Sequence, residues 1–149
     1  MIIKATSQDA QILSELAMRS KAHWGYDESF MSQAHDELTY DASDLEEHTT
    51  FIEIDNGLTM GFYQLIHIND STVELDALFI EPKLIGQGLG QQLFNHAVSQ
   101  ARESGYKTMS LQSDPNAEGF YLKLGCVIVG EKPSLSIPGR LLPVMVFTL

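Results

Sequence analysis

A glycine-rich turn between an apolar strand and an amphipathic helix is the feature that most restricts how this chain folds. The stretch EPKLIGQGLGQQLF, residues 81–94, has glycine at every second position from Gly86 to Gly90. Apolar residues follow at positions 89, 93, 94, 97, 98 and 101, which is the spacing of one helix face. Glycine lets the backbone approach a ligand closely, because no Cβ intervenes. A strand, a bare turn and a helix N-terminus together form a backbone site for anions.

Two common phosphate-binding motifs fit this turn poorly. A P-loop has Lys and then Ser or Thr after its last glycine, whereas Gly90 is followed by Gln91 and Gln92. A Rossmann turn has the spacing G-x-G-x-x-G after the first strand of a parallel sheet. Here the spacing is G-x-G-x-G and the preceding strands read as an antiparallel meander. A tight turn that only packs the helix closely is the structural alternative.

The hydrophobic pattern predicts a single α/β domain over residues 1–149. Helices are expected from Thr6, over 27–38, from the glycine turn to Gly105 and after Asp114, with a polar connection at 39–48. The sequence Asn56-Gly57 is a strong hairpin signal, and the strand after the long helix should pair in parallel. The predicted fold is a mixed, mostly antiparallel, twisted sheet of six to seven strands with helices on both faces. The strands are expected at 2–5, 49–55, 58–68, 71–80, 107–113, 126–132 and 140–149.

The charge balance argues against one class of partner. The chain has 9 Lys and Arg against 20 Asp and Glu, a net charge of −11, which disfavours nucleic-acid binding. Residues 1–55 hold 3 basic and 12 acidic residues, a net of −9, which either attracts cations or simply solubilises the surface. No apolar run of about 18 residues predicts a transmembrane helix. The early polar N-terminus and the single cysteine favour a reducing cytoplasm.

Several segments carry a family resemblance. LFIEPKLIGQGLGQQLF resembles the central motif of the GNAT superfamily of acetyl-CoA-dependent N-acetyltransferases, a strand ending in Pro followed by Q/R-x-x-G-x-G/A at a helix start. DPNAEGFYLKLGC resembles the downstream helix of that superfamily, and the order of elements agrees over the whole chain. SKAHWGYD and PSLSIPGRLLP resemble a small bacterial subgroup. The chain departs from the motif at three positions. Ile85 replaces Gln or Arg, Gln87 stands where Arg or Lys is common, and Cys126 replaces an aromatic residue.

The resemblance implies a cofactor site residue by residue. Asn116 would bond the pantetheine arm of acetyl-CoA, and Tyr121 would lie near the thioester sulfur. The backbone of β-strand residues Leu78, Phe79 and Ile80 would pair with the same arm. The resemblance also implies that acetyl-CoA is the cosubstrate and that the site holds no metal. The backbone amides that would hold the pyrophosphate are those of Ile85, Gly86, Gln87, Gly88, Leu89, Gly90 and Gln91.

Acyl transfer to an amine needs a base for the amine and a proton for the leaving thiolate. Tyr121 is the predicted general acid, with a core aromatic as the alternative interpretation. Glu74 and Asp76 alternate on one strand and share a face, so they are the candidate bases, and Asp76 is the preferred one. The alternative is that both are surface charges. His23 and His67 are weaker candidates, and no H-E-x-x-H pattern indicates a metal. Cys126 opens an apolar strand without any cue for a low pKa, which favours direct transfer over a covalent enzyme intermediate.

Two segments are predicted to contact the acceptor. HWGY places His23, Trp24 and Tyr26 around a helix break, where aromatic rings suit a pocket wall or a cation–π contact, or simply pack the helix junction. Arg140 either binds a carboxylate of the acceptor or pairs with the acidic surface. The sequence thus predicts acetylation of a primary amine of a small molecule or peptide, cationic by charge complementarity, with a homodimer as a common state of such folds. The alternatives are a CoA-binding sensor without turnover and a purely structural domain.

Overall fold

The computed structural model describes all 149 residues as a seven-stranded sheet flanked by five α-helices, in agreement with the predicted fold class. The strands lie in the order β1-β2-β3-β4-β5-β7-β6, and only β4 and β5 run parallel. The strands are β1 (Ile2–Lys4), β2 (Thr49–Asp55), β3 (Leu58–His67), β4 (Thr72–Ile80), β5 (Thr108–Gln112), β6 (Val127–Pro133) and β7 (Leu141–Thr148). The helices are α1 (Ala10–Ala22), α2 (Glu28–Ala34), α3 (Ala42–Glu47), α4 (Leu89–Glu103) and α5 (Glu118–Lys123).

The predicted meander of β2, β3 and β4 is confirmed. Asn56 and Gly57 both have positive φ values, 50° and 76°, as a two-residue hairpin of this type requires. At the next turn, the Asn69 side chain accepts hydrogen bonds from the backbone N–H groups of Ser71 and Thr72. Local turn chemistry therefore sets the register of both hairpins.

Three predicted boundaries were wrong. Residues 39–48 are not merely a polar connection, because α3 forms there and buries Leu45. Its N-terminus is a reciprocal capping box in which the Asp41 and Asp44 side chains each accept the other's backbone N–H. The helix predicted over 27–38 ends at Ala34 and continues as a turn. The segment after Asp114 begins as a 3-10 turn, Pro115–Ala117, before α5.

The sheet separates two hydrophobic clusters. On one side the apolar face of α4, including Leu93 and Phe94, packs in a cluster with Tyr63 of β3 and Met109 of β5. On the other side Leu13 and Leu16 of α1 pack in a cluster with Phe62 of β3 and other sheet residues. None of the helices is both long and apolar enough to cross a bilayer.

The two central strands diverge, and this opens the space in which the site lies. β4 and β5 share only three residue pairs, from Thr72–Thr108 to Glu74–Ser110. Just beyond them β4 carries a bulge, because Leu65 faces Leu75 and Gln64 faces Ala77, which leaves Asp76 as the extra residue. A bulge bends its strand and increases the local twist. The C-terminal half of β4 therefore leaves β5, and a cleft opens between the strands.

Candidate active site

A single large cleft of about 900 Å³ occupies the space between the diverging strands. Its walls come from β4, the glycine turn, the segment 112–121, the end of α1 and the connection between β6 and β7. Fourteen of the residues singled out from the sequence line it: Trp24, Glu74, Asp76, Leu78, Phe79, Ile80, Ile85, Gly86, Gly88, Gly90, Gln91, Asn116, Tyr121 and Arg140. The topology has thus brought distant candidate residues to one place.

The glycine turn forms what we call the amide cradle, residues 86–91. Six successive backbone N–H groups there donate no hydrogen bond within the protein; the first N–H of α4 to find a partner is that of Gln92, on the Gly88 carbonyl. Gly86 and Gly88 have φ values of +87° and +85°, and a Cβ built at either would meet no atom within 4 Å. A run of free donors at a helix N-terminus, beside open space, fits an anionic group such as a pyrophosphate.

The third glycine has a different role. A Cβ at Gly90 would lie 3.1 Å from the Phe120 ring, closer than ordinary packing allows. The absence of a side chain at this position therefore lets α5 pack against the first turn of α4. Close packing, which the sequence analysis held as the alternative for the whole turn, applies to Gly90, and Gly86 and Gly88 leave open space.

One edge of β4 is free to pair with an extended ligand. On its other edge β4 pairs with β3, with Tyr63 opposite Leu78 and Phe62 opposite Phe79. β5 has diverged by this point, so no strand covers the edge that faces the cleft. Leu78, Phe79 and Ile80 line the cleft at this edge. The backbone groups of this segment are those that a linear arm with amide groups would match.

Tyr121 places a phenol at the cleft from a buried ring. The residue is 8% exposed, and its ring packs against Phe94 and Phe120, with centroid distances of 6.1 and 5.0 Å. Its hydroxyl makes no hydrogen bond within the protein, yet it is not sealed from solvent. Burial raises the pKa of this phenol well above its ordinary value. The group therefore stays protonated at neutral pH and is free to donate.

Carboxylates line another part of the cleft. Burial raises the pKa of Glu74, and the nearby charge of Asp76 raises it further. Asp76 reaches solvent within the cleft, but the surrounding protein desolvates it and raises its pKa, and the charge of Glu37 adds to this effect. Glu37, which follows α2, also lines the cleft and was not singled out from the sequence. Three acidic side chains thus face the same space.

A second polar group, which we call the Asp114 network, ties four parts of the chain together. The Asp114 carboxylate accepts hydrogen bonds from Lys21 Nζ at 2.6 Å and from the Tyr26 hydroxyl at 2.9 Å. Arg140 Nη2 donates to the Tyr26 hydroxyl at 2.7 Å and lies 3.3 Å from Asp114. Asn116 Nδ2 donates to both Tyr26 and Asp114. Burial alone would raise the pKa of Asp114, but the bond and charge of Lys21, with further donors, outweigh it and hold that pKa low.

Aromatic stacking fixes the geometry of this network. The rings of Tyr26 and Phe30 stack with centroids 3.8 Å apart and planes 8° from parallel. The Arg140 guanidinium carbon lies 4.8 Å from the Phe30 centroid and 5.2 Å from the Tyr26 centroid, within cation–π range. Burial raises the pKa of Tyr26, and its bond to Asp114 adds to this effect. The Tyr26 hydroxyl therefore stays protonated at neutral pH.

Four predicted residues do not line the cleft: Gln87, Leu89, His23 and Tyr26. Gln87 bonds weakly to the Lys83 carbonyl and Leu89 is buried, although the backbone N–H groups of both belong to the amide cradle. His23 sits at the end of α1 with its ring edge-on to Trp24. Tyr26 is connected to the cleft through its hydrogen bonds to Asp114, Asn116 and Arg140.

The remaining candidates lie elsewhere or have little reactivity. His67 pairs with the Tyr106 hydroxyl, 2.6 Å away, and is not in the cleft. Cys126 is buried outside the cleft, and burial raises the pKa of its thiol to about 11. No group of three or more His, Cys, Asp or Glu side chains is arranged to hold a metal ion.

Sequence reasoning did not single out several polar residues that line the cleft: Ser20, Lys21, Glu37, Gln112 and Ser136. It also treated Asp114 only as a helix cap, although its side chain organises a network across the cleft. Ser20 and Lys21 lie within the motif SKAHWGYD, so that motif was the available signal. Nothing in the local pattern distinguishes Glu37 from the other acidic residues of the first third.

Comparison with known proteins was consistent at the level of family and fold. A model of the acetyltransferase (GNAT) family matches residues 13–126. The peptidyl-lysine N-acetyltransferases YjaB of Salmonella typhimurium and Escherichia coli are each 41% identical over 57 residues, 38% of this chain. The match spans only 38% and 37% of the length of these two curated relatives.

Solved structures extend the similarity of fold to the whole chain. PaiA N-acetyltransferase from Thermoplasma acidophilum, in complex with coenzyme A, has a TM-score of 0.84 at 18% identity, covering 100% of this chain and 98% of that one. A GCN5-related N-acetyltransferase from Rhodopseudomonas palustris has a TM-score of 0.83 at 20% identity, covering 100% and 95%. A GNAT acetyltransferase from Elizabethkingia anophelis with acetyl-CoA bound has a TM-score of 0.71 at 17% identity, covering 100% and 97%.

Proposed function

This chain belongs to the acetyltransferase (GNAT) family, and we propose that it is an acetyl-CoA-dependent N-acetyltransferase that transfers acetyl directly to a primary amine of a small molecule or peptide. One observation carries the proposal: four residues of the amide cradle, Gly86, Gly88, Gly90 and Gln91, line the same cleft as the free phenol of Tyr121. The first is a site for an anion, and the second is a proton donor for a leaving group.

The cradle and the free edge of β4 together match the two parts of the cofactor. The amides of residues 86–91 would bind the pyrophosphate, and the backbone of Leu78 to Ile80 would pair with the pantetheine arm. The Asn116 Nδ2 group is already engaged by Tyr26 and Asp114, but its carbonyl oxygen has no partner in the protein and would accept from that arm. Ile85, whose amide was also predicted to bind the pyrophosphate, donates that N–H to the Pro82 carbonyl and has no polar side chain.

The side chains around the cleft supply the proton transfers. Acetyl-CoA, when bound, supplies an acetyl thioester as the electrophile. A protonated amine must first lose a proton, and Asp76 or Glu74 would accept it, because a raised pKa makes either carboxylate a better base. Tyr121 would donate its proton to the leaving sulfur. Cys126 takes no part, since its thiol stays protonated at neutral pH and lies outside the cleft.

The acidic lining favours an acceptor whose reacting amine is cationic. Glu37, Glu74 and Asp76 would attract an ammonium group and hold it beside the base. The names of the curated relatives, peptidyl-lysine N-acetyltransferases, add a lysine side chain as one such amine. A homodimer and a cytoplasmic location remain part of the prediction.

Two measurements test this function. Calorimetric titration with acetyl-CoA should show saturable binding, and an amine panel should release free thiol from acetyl-CoA above the hydrolysis background. Binding without turnover on any amine would instead support a CoA-binding sensor, an alternative that the departures at Ile85 and Gln87 keep open. Absence of binding would exclude both readings and leave a structural domain.

A further inference from the structure

The cleft has a positively charged corner that the proton-transfer chemistry does not use. It consists of Lys21 at the end of α1 and Arg140 in the β6–β7 connection, both bonded to Asp114, together with Ser20, which precedes Lys21 and also lines the cleft. Lys21 and Arg140 carry two positive charges, and Asp114 is the only carboxylate bonded to them. Tyr26 remains neutral, so the corner has one positive charge without a counter-charge from the protein. A partly buried excess charge of this kind favours an anionic ligand.

The corner also has hydrogen-bond donors without partners. Arg140 uses only Nη2, so the N–H groups of Nε and Nη1 have no acceptor in the protein, although the side chain is only 16% exposed. The Ser20 hydroxyl, in a residue 7% exposed, likewise makes no hydrogen bond. None of these atoms is sealed from solvent, and both residues line the cleft. The Nε–H and Nη1–H groups point in different directions, and each is free to donate a charge-assisted hydrogen bond to a carboxylate oxygen.

We propose that Ser20, Lys21 and Arg140 bind a carboxylate of the acceptor, so that the substrate is an amine that also carries a carboxylate. The reacting amine lies by the acidic side chains of β4, and the carboxylate lies in the positive corner. This inference rests on the proposed acetyltransferase function and narrows its acceptor from cationic amines in general to amino acids or peptides that carry a free carboxylate. Stacking on Phe30 and Tyr26 holds the Arg140 guanidinium in place before the acceptor arrives.

A purely structural network explains only part of these observations. The bonds to Asp114 join α1, the segment before α2 and the β6–β7 connection, as a structural ion cluster would. That role does not explain why the N–H groups of Arg140 and the Ser20 hydroxyl have no acceptor. It also does not explain why Lys21 and Arg140 share only one carboxylate. A carboxylate from the acceptor satisfies the donors and the charge together.

The test compares ω-amino carboxylates of increasing chain length with the matching carboxamides. The carboxyl group is several carbons from the amine, so the two series differ in tail charge and little in amine pKa. In thiol-release assays, we expect kcat/KM for the carboxylate to exceed that for the carboxamide at least 10-fold at the best length. The ratio should fall toward one in Arg140→Gln, recover in part in Arg140→Lys, and remain in the control Arg102→Gln, which changes an arginine of α4 outside the cleft.

A second readout does not depend on turnover. With coenzyme A present, NMR titration with the same carboxylate should shift the Arg140 Nε–H signal and the Ser20 and Lys21 amides, and the carboxamide should not. Equal kinetics and equal shifts for both series would overturn the inference, as would an Arg140→Gln variant that weakens acetyl-CoA binding instead of changing tail preference. Failure of every amine to release thiol would refute the proposed function, whereas the NMR titration would still decide the carboxylate site.

Discussion

At the scale of single residues, the site depends on groups that the fold leaves without partners. The cradle amides, the Tyr121 hydroxyl and the Arg140 N–H groups all lack acceptors or donors within the chain. Unpaired polar groups are costly when they are fully buried, so these groups are stable only because they open onto the cleft. Substitutions at such positions should therefore change binding or catalysis more than they change stability.

Gly88→Glu should abolish acetyl-CoA binding in a folded protein. The new side chain would project from the amide cradle, and its charge would repel a pyrophosphate. A left-handed φ of +85° adds a strain of about 1–2 kcal/mol for any L-residue. Gly105→Glu is the matched control, because Gly105 has a φ of +88°, open surroundings and a position outside the cleft. Calorimetry should show binding in the control alone, and unchanged affinity in Gly88→Glu would disprove the anion site.

Tyr121→Phe should lower kcat by about 10²–10⁴-fold with little effect on acetyl-CoA affinity, because only the proton donor is lost. Tyr63→Phe is the control, since it removes the hydroxyl of another buried tyrosine, one that contacts His96 outside the cleft. The assay is single-turnover transfer, which isolates the chemical step. A Tyr121→Phe enzyme with the wild-type transfer rate would assign the proton to water.

At the scale of elements, the divergence of β4 from β5 creates the cleft, and the bulge at Asp76 accompanies it. Residues Val73 and Leu75 pack in one hydrophobic cluster, whereas Ala77 packs in the other. Removal of residue 76 would thus give a regular alternation of faces along β4. The bulge interrupts the pairing of β3 with β4 and adds no side chain to the core. Bulges of this kind are typical of strands next to functional sites.

Deletion of Asp76 should therefore leave a folded protein that binds acetyl-CoA at least 10-fold more weakly. A straightened β4 would stay closer to β5, and its free edge would be covered. Asp76→Asn is the control, because it keeps the bulge and removes only the charge; it should bind acetyl-CoA normally and lose the acid limb of the pH–rate profile. Circular dichroism and calorimetry on both variants separate the two effects. If the deletion binds like the wild type, then the bulge does not shape the cofactor site.

Local patterns predicted the elements and the cradle, because each depends on residues that are neighbours in the chain. Apolar spacing located every strand and α4, and the glycines located the turn. The capping box of α3 was missed because it lies in an acidic segment with little apolar periodicity. The bulge was missed because an extra residue in a strand shows only in its partner's register. The bonds of the Asp114 network join residues that are separated by 88, 93 and 114 positions in the sequence, and no local pattern encodes such contacts.

At the scale of the whole molecule, the Asp114 network joins the N-terminal helices to the C-terminal strands across the cleft. Because the pKa of Asp114 in the folded protein lies below its unfolded value of about 3.9, the network stabilises the fold above about pH 4. This contribution is lost as the pH falls through the folded-state pKa. The network therefore couples the stability of the domain to the protonation of one residue.

Asp114→Asn should lower the free energy of unfolding at pH 7 by about 1–3 kcal/mol, between the values for exposed and buried ion pairs. For a chain of this size the melting temperature should fall by roughly 2–12 °C. The difference from wild type should shrink as the pH falls below about 4 and through the folded-state pKa, below which Asp114 is protonated in both states of the wild type. Asp70→Asn, in an exposed turn, should show no such difference. A pH-independent difference would indicate lost packing rather than lost charge pairing.

The free donors of the amide cradle also determine how fast their hydrogens leave the protein. Backbone N–H groups without an acceptor exchange with deuterium far faster than those inside a helix. Residues 86–91 should therefore exchange within seconds, although they directly precede the well-packed turns of α4. Bound acetyl-CoA should slow these six amides selectively, and mass spectrometry of the corresponding peptide would record occupancy in the absence of any acceptor. Deuterium exchange at the amide cradle therefore reports directly on whether the cofactor is bound.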